Sequence, residues 1–300
     1  MFSLPKKVTI IEVGPRDGLQ NEKNQVETDV KLEFIRLLKK SGVTEMELTS
    51  FVSPKWVPQM SDALEIMEKA DLVERSIVLA PNAKGVALAQ EAGAKSIAIF
   101  VGVSNTFNQK NINRTTSESV EALAPVILKL KEEGVFVRAC ISTAFYCPYE
   151  GKIEVDDCIE LCRQFVALGV DELSVADTIG MANPVESYEL FTRLRQSFPS
   201  VLLTAHFHDT RKMALANIFA SLQAGIDRFD TAAGGLGGCP FADGATGNVA
   251  TEDVVNMLDS LEISTGIDVK QVCEAVEKIA PHVSRPIESG MYRLYENGRI

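Results

Sequence analysis

The stretch from Lys7 to Gly42, KVTIIEVGPRDGLQNEKNQVETDVKLEFIRLLKKSG, shows the unit from which the chain is built. Its β-branched run, Lys7–Val13, ends in the loop Gly14–Gly18, which contains glycine and proline and is typical of the end of a strand. Farther on, apolar residues recur with the 3.6-residue period of an α-helix at Val30, Phe34, Leu37 and Leu38. Ser41-Gly42 ends this pattern, so the stretch predicts one strand followed by one helix.

The same order of strand and helix recurs along the chain. Seven further β-branched runs are each followed by a polar or Gly/Pro-containing loop and a helical pattern: Val43–Thr49, Ser76–Ala80, Ser96–Val103, Val135–Thr143, Val170–Ala176, Val201–Phe207 and Ile226–Asp230. The eight runs lie on average about 31 residues apart, which is the length of a βα repeat. Eight such units in 300 residues predict an α/β protein with a (β/α)8 TIM-barrel fold.

An open, doubly wound sheet is the alternative to a barrel. Such sheets usually have fewer strands and a glycine-rich turn directly after the first strand, whereas Gly14–Gly18 does not match G-x-G-x-x-G. We expect one catalytic domain over residues 1–300, with the barrel at about 7–262 and a C-terminal helical extension at about 263–300. In this interpretation Thr251–Leu261 is the eighth helix and Val269–Ala280 is an added one.

Composition excludes several classes of partner. The chain has 41 acidic and 30 basic residues, a net charge of −11, which disfavours nucleic acid and anionic membranes. No apolar run approaches the ~20 residues of a membrane span. Residues 1–7 lack the features of a secretory signal or a transit peptide, and the six cysteines include no C-x-x-C pair. We therefore expect reduced thiols and a cytoplasmic protein.

Reactive residues collect where the predicted strands end. Because the active sites of TIM barrels form at the carboxyl ends of the strands, these residues are candidates for one site. They are Arg16 and Asp17 after the first strand, Glu47 in the second, Asp177 after the sixth, and His206 and His208 at the seventh.

His206 and His208 are the sharpest local signal, because residues two apart on a strand point to the same face. Two adjacent imidazoles form half of a metal site; the alternative is a pair of polar loop residues. Asp17 and Asn248 would complete a mixed oxygen and nitrogen set, unless Asp17 is a turn residue and Asn248 is the N-cap of a helix over Val249–Leu258. Without a thiolate, this set favours Mg²⁺ or Mn²⁺ over structural zinc.

Two further residues are candidates for chemistry beside a metal. Arg16 can stabilise a negative charge that develops in the reaction, or can form a salt bridge to Glu12 or Glu47. Cys239 lies in the glycine-rich loop Gly234–Pro240, where a thiol can transfer a proton or act as a nucleophile. Its alternative role is that of a small buried hydrophobic residue.

Six motifs, taken together, resemble those of the hydroxymethylglutaryl-CoA lyase family of metal-dependent TIM barrels. In chain order they are Glu12–Glu22, Thr49–Met60, Asp177–Gly180, His206–Thr210, Gly235–Pro240 and Gly244–Asn248. The two long motifs and the cysteine loop are specific, whereas H-x-H-D is shared with related synthases and aldolases. The resemblance covers nearly the whole chain.

This resemblance implies cleavage of (S)-3-hydroxy-3-methylglutaryl-CoA to acetyl-CoA and acetoacetate, in leucine degradation and ketone body metabolism. It implies a divalent cation, Mg²⁺ or Mn²⁺, with the ligands Asp17, His206, His208 and Asn248. Arg16 would bind the thioester carbonyl and stabilise the enolate, and Cys239 would be the catalytic thiol. Glu47 and Asp177 would support proton transfer.

The resemblance further implies an acyl-CoA substrate and a homodimer or other homo-oligomer, with no nucleic-acid or membrane partner. The animal enzymes carry a mitochondrial leader and a cysteine near the C-terminus that is linked to thiol control. Neither is present here, which suggests a cytoplasmic enzyme of bacterial type. How CoA is bound stays open: Lys110–Asn113 can meet phosphates at the start of the following helix or form a plain capped loop.

Two rival functions remain at this stage. A Claisen-type acyltransferase, such as a citramalate or isopropylmalate synthase, shares the barrel and H-x-H. Such enzymes lack the glycine-rich cysteine loop and usually carry a C-terminal regulatory domain. A catalytically silent barrel that serves as a scaffold would have lost one or more metal ligands, and none is missing here.

Overall fold

A closed barrel of eight parallel strands forms the centre of the protein. The structure is a computed structural model and describes residues 4–238 and 247–300. The barrel strands are β1 (Thr9–Glu12), β2 (Glu45–Ser50), β3 (Arg75–Leu79), β4 (Ser96–Gly102), β5 (Phe136–Ser142), β8 (Glu172–Asp177), β9 (Leu202–Phe207) and β10 (Arg228–Thr231). They follow one another around the barrel in chain order, and β10 closes it against β1. The predicted TIM barrel is confirmed, and each predicted β-branched run overlaps a barrel strand to within about one residue at its carboxyl end.

Each barrel strand is followed by at least one helix. The helices are α1 (Thr28–Lys40), α2 (Ala63–Lys69), α3 (Ala83–Glu91), α4 (Asn105–Ile112), α5 (Thr116–Glu132), α6 (Val155–Ala167), α7 (Pro184–Ser197), α8 (Ala214–Gln223), α9 (Thr251–Ser260), α10 (Val269–Ile279) and α11 (Gly290–Glu296). The apolar face predicted for α1 is the face that packs inward: Phe34 and Leu38 are fully buried. The added C-terminal helix is also present, because α10 packs against α1 and α9.

Two connections are more elaborate than the sequence indicated. One helix was predicted after β4, whereas α4 and α5 both lie there. The eight-residue α4 is polar and buries only Phe107 and Asn108, so it has no amphipathic pattern to reveal it. After β5, a small hairpin of β6 (Tyr146–Cys147) and β7 (Gly151–Lys152) precedes α6.

Ion pairs cross the interior of the barrel. Arg228 on β10 bonds Glu45 on β2, Nη1 to Oε1 at 3.1 Å, and its Nη2 lies 3.3 Å from Glu172 Oε1 on β8. Because β10 is not adjacent to β2 or β8, these contacts span the interior at the amino ends of the strands. The carboxyl ends are left for the candidate site.

Among the helices of the described residues, none combines the length and the apolar composition that a membrane crossing requires.

Candidate metal centre and catalytic site

A single helical turn directly after β1 places Arg16 and Asp17 over the mouth of the barrel. The backbone N–H groups of Arg16, Asp17 and Gly18 all donate to the carbonyl oxygen of Val13, at 3.2, 2.7 and 3.1 Å. This tight turn, Gly14–Gly18, buries Arg16 and leaves the Asp17 side chain 21% exposed. Both side chains therefore lie at the carboxyl end of β1, as predicted.

Asn248 comes to the same place because the backbone around it adds to the end of β9. Val249 N donates to Phe207 O at 3.1 Å, and Asp209 N donates to Gly247 O at 3.0 Å. This approach needs glycine at position 247, since a Cβ there would lie 2.5–2.7 Å from three backbone oxygens of the facing segment. The first residue before α9 is Ala250, so Asn248 is not its N-cap.

Asp17, His206 and His208 form a compact group that can hold a metal ion. One potential ligand atom from each lies within 4.8 Å of the others, and the two imidazole centroids are 5.2 Å apart. The Asn248 amide nitrogen donates to Asp17 Oδ2 at 2.8 Å and to Leu236 O at 3.1 Å. The tertiary structure thus brings Asp17, His206, His208 and Asn248 together, and their role as metal ligands stays a prediction.

Two buried polar atoms in this cluster show that the donor set fits a cation. Asn248 Oδ1 and His208 Nδ1 are buried and have no hydrogen-bond partner among the described residues. A buried amide oxygen without a donor is costly unless a cation satisfies it. One carboxylate, one amide oxygen and two imidazoles without a thiolate suit a divalent cation.

The electrostatics of the cluster keep Asp17 and His208 in the forms that bind a metal. Burial, together with the neighbouring His206, lowers the pKa of His208 to about 4, so this imidazole is neutral near pH 7. Burial opposes ionisation of Asp17, but the charges of Arg16 and His206 and the hydrogen bond from Asn248 outweigh it and hold its pKa well below the usual range. A neutral imidazole and an ionised carboxylate are both ready ligands.

Asp230 is a site residue that the sequence analysis missed. Its Oδ2 lies 3.0 Å from His206 Nδ1 and accepts a hydrogen bond from Ser174 Oγ at 2.8 Å. Burial opposes protonation of His206, but the hydrogen bond and charge of Asp230 raise its pKa. The carboxylate thereby orients the ring and leaves Nε2 free for a metal. The sequence pattern that could have revealed it is Arg228-Phe229-Asp230, because alternation along a strand puts these two charged side chains on one face.

Arg16 is held by two carboxylates. Its Nε donates to Glu47 Oε2 at 2.6 Å, and its Nη1 donates to Asp17 Oδ1 at 2.5 Å. The alternative considered from the sequence, a salt bridge, is thus present, but with Glu47 rather than Glu12. Glu12 instead accepts from Gly14 N, at 2.7 Å. Arg16 is therefore fixed beside a metal ligand, and Glu47 is the residue that fixes it.

Asp177 ends β8, beside the histidine strand. Its two oxygens accept hydrogen bonds from Met181 N and Ala182 N, at 3.0 and 2.9 Å. Burial raises the pKa of its carboxyl to about 6, against the effect of these bonds. Asp177 thus shapes the loop that follows β8, and its role in proton transfer stays a prediction.

Cys239 lies outside the described residues. The segment that leads to it is anchored, because Gly234 N donates to both oxygens of the buried Glu252, at 3.1 and 3.0 Å. A cavity of about 430 Å³ opens beside Asn248, and its walls include Leu236, Lys212 and Arg285. This cavity offers space for a small-molecule substrate next to the metal cluster.

Lys110–Asn113 is not the loop that was expected before the helix, and its contact with phosphates stays untested. Residues 110–112 are the last turn of α4. The start of α5 is closed by a capping box, in which Thr115 Oγ1 accepts from Glu118 N at 3.1 Å and Glu118 Oε2 accepts from Thr115 N at 2.8 Å.

Fold and site together define a (β/α)8 barrel with a mixed oxygen and nitrogen cluster at the carboxyl ends of its strands. The profile of the HMGL-like family matches residues 7–279, so the chain belongs to the HMGL-like family. This family is metal-dependent, in agreement with the cluster of Asp17, His206 and His208.

Relatives of known identity match along their whole length. A hydroxymethylglutaryl-CoA lyase of Bacillus subtilis is 41% identical over 98% of this chain and 99% of its own. The crystal structure of the Pseudomonas aeruginosa enzyme of that name has a TM-score of 0.95 at 40% identity, covering 98% of this chain and 99% of that one. An Acinetobacter baumannii HMG-CoA lyase in complex with coenzyme A and 3-methylmalate has a TM-score of 0.91 at 35% identity, covering 100% and 97%. These comparisons do not favour the acyltransferase or the scaffold.

Proposed function

We propose that this chain is a metal-dependent carbon–carbon lyase that cleaves (S)-3-hydroxy-3-methylglutaryl-CoA to acetyl-CoA and acetoacetate, in leucine degradation and ketone body metabolism. The observation that carries the proposal is the cluster of Asp17, His206, His208 and Asn248 beside the Arg16–Glu47 pair. The high identity to lyases that match this chain end to end supports it.

The four clustered residues would hold Mg²⁺ or Mn²⁺. When bound, such an ion supplies a Lewis acid that lowers the pKa of a chelating hydroxyl and fixes the geometry of the substrate. The same residues leave coordination positions for substrate oxygens, because four ligands do not fill an octahedron.

Cleavage breaks the bond between C2 and C3 of the acyl group. The tertiary hydroxyl on C3 loses its proton and becomes the ketone of acetoacetate, while the electron pair of the broken bond passes to C2 and the thioester as an enolate. The guanidinium of Arg16, held by Glu47, is the cation that stabilises this enolate. Protonation of C2 then gives the methyl group of acetyl-CoA.

Proton transfer is assigned to Cys239, with Glu47 and Asp177 in support. A thiol of ordinary pKa is a suitable acid for an enolate near neutral pH. The Asp177 carboxyl, with a pKa raised by burial to about 6, can exchange a proton in the same pH range.

The partner is an acyl-CoA, since a relative of known structure holds coenzyme A. We further propose a homodimer or other homo-oligomer and a cytoplasmic location. The five cysteines of the described residues are all free thiols, which suits a reducing compartment.

The test is release of acetoacetate from the acyl-CoA, measured with a dehydrogenase-coupled assay, against condensation with added acetyl-CoA. We expect cleavage that exhaustive chelation abolishes and that Mg²⁺ or Mn²⁺ restores. His208→Ala should weaken the response to metal, whereas the control His282→Ala, in the turn Ala280–His282, should not. Condensation without cleavage would refute the lyase, and full activity of the metal-free protein would refute the metal centre.

A further inference from the structure

We propose that Arg138 is a positioning residue. It fixes the side chains of the metal ligand His206 and the enolate-stabilising Arg16 relative to each other. The inference rests on the proposed function, because it assigns a role within that site. Arg138 touches neither side chain directly and acts through one carboxylate on each side.

On one side, Arg138 contacts the carboxylate that orients His206. Arg138 lies on β5, its side chain is 0% exposed, and its Nη2 donates to both oxygens of Asp230, to Oδ2 at 2.5 Å. The same Oδ2 lies 3.0 Å from His206 Nδ1. β5 and β10 are not neighbours, so this contact crosses the barrel and fixes the carboxylate that orients the imidazole.

On the other side, Arg138 contacts the carboxylate that holds Arg16. Arg138 Nη1 lies 3.7 Å from Glu47 Oε1, whereas Glu47 Oε2 accepts from Arg16 Nε at 2.6 Å. Arg138 Nη1 and Glu47 Oε1 are buried, have no hydrogen-bond partner among the described residues, and form an ion pair with each other. Glu47 thus stands between the two guanidiniums with one oxygen toward each.

The balance of buried charge explains why this arrangement needs a guanidinium. Three carboxylates, Asp17, Glu47 and Asp230, share two guanidiniums, those of Arg16 and Arg138. Without Arg138, Glu47 and Asp230 lose the cation between them, and a buried carboxylate without a counter-charge moves or takes up a proton. A lysine keeps the charge but lacks the planar fork that contacts both carboxylates at once.

The chain offers a matched control in Arg228. This arginine is also buried inside the barrel and paired with two carboxylates, Glu45 and Glu172, but at the amino ends of the strands. A lysine there keeps the charge and disturbs a similar ion cluster in the next layer of the barrel, on the amino-terminal side of Asp230. Loss of stability alone would therefore affect both variants.

The experiment measures Mn²⁺ binding to the metal-free, folded protein in the absence of substrate, by the electron paramagnetic resonance of free Mn²⁺. We expect Arg138→Lys to raise the Kd for Mn²⁺ about 10- to 100-fold, the usual effect of losing a group that supports a metal ligand. It should also lower kcat while changing KM much less. Arg228→Lys should leave the Kd and kcat within about twofold, whatever its effect on Tm. Arg138→Gln keeps a donor and serves the same comparison if the lysine variant does not fold.

A double-mutant cycle tests the route through Asp230. In an Asp230→Asn background, Arg138→Lys should add little further loss of Mn²⁺ affinity, because both changes remove one support of His206. Additive losses, an unchanged Mn²⁺ Kd and kcat in Arg138→Lys, or equal losses in Arg228→Lys would each overturn the inference. Failure of the wild-type chain to bind Mn²⁺ would instead refute the proposed metal centre, and the inference with it.

Discussion

Replacing Arg16 by lysine separates the charge at this position from its geometry. Arg16 places its Nε and Nη2 on Glu47 and its Nη1 on Asp17, and its side chain is only 10% exposed. A lysine ammonium keeps the positive charge, but a single nitrogen cannot make all three contacts at once. The variant therefore keeps a cation in the site, but Glu47 and Asp17 no longer hold it in a fixed orientation.

The expected effect falls on the chemical step. Losing one preoriented donor to a developing oxyanion costs about 2.7–4 kcal/mol, which corresponds to a fall in kcat of about 10²–10³. Because the enolate exists only along the reaction, KM should change far less than kcat. Acetoacetate release at saturating substrate and metal measures the first quantity, and the substrate dependence of the rate measures the second.

Arg36→Lys is the matched control, because Arg36 forms a similar two-pronged pair with Glu33 on the exposed face of α1. It should leave both kinetic constants near their wild-type values. A raised KM with an unchanged kcat in Arg16→Lys would mean that Arg16 only binds the substrate in its ground state. Enolate stabilisation would then have to be reassigned.

Three further predictions concern single residues. Cys239→Ser should lower kcat by about 10²–10⁴ with little change in substrate binding, and near-full kcat at saturating substrate would make Cys239 a packing residue. Glu252→Gln tests a buried carboxyl whose pKa is raised by burial to about 7: its neutral form stabilises the folded state below about pH 4.5, and this contribution is lost as the pH rises through about 7. Between pH 5 and pH 8 the free energy of unfolding, measured with urea, should fall by up to about 3 kcal/mol more in the wild type than in Glu252→Gln. Parallel pH profiles of the two proteins would contradict this. Lys31→Met removes the buried partner of Asp62 and should lower the free energy of unfolding by about 3 kcal/mol. Lys69→Met, in an exposed pair with Glu65, should leave the free energy of unfolding near the wild-type value, and equal effects of the two variants would refute the distinction.

Local pattern was sufficient to predict the barrel. A β-branched run and an amphipathic helix are each visible within some fifteen residues, and eight repeats leave few ways to close a sheet. The exceptions were the β6–β7 hairpin and α4, and α4 was missed because a short polar helix with two buried residues has no periodic apolar face. It was recognised only in the structure, where Ser104 caps it and Asn108 bonds the end of β4.

The candidate site was likewise predictable from the sequence only in part. His206 and His208 were predictable because they lie two residues apart at the end of one predicted strand, and Arg16 and Asp17 because they follow another. For Asn248 the sequence left two roles open, and the tertiary structure excludes the N-cap role because Ala250 holds that position. Its side chain lies on Asp17, and its role as a metal ligand stays a prediction. Cys239 stays a prediction from sequence alone.

Only the tertiary structure revealed Asp230 and Arg138 as parts of the site. A charged residue inside a strand can face solvent or the barrel interior, and the chain alone does not say which. Arg138 and Asp230 are 92 residues apart and lie on strands that are not neighbours, so their contact depends on the closure of the whole barrel. Sequence by itself determined which residues can do chemistry. Barrel closure decided which carboxylate each of them faces, because that pairing depends on distances across the interior that no local pattern encodes.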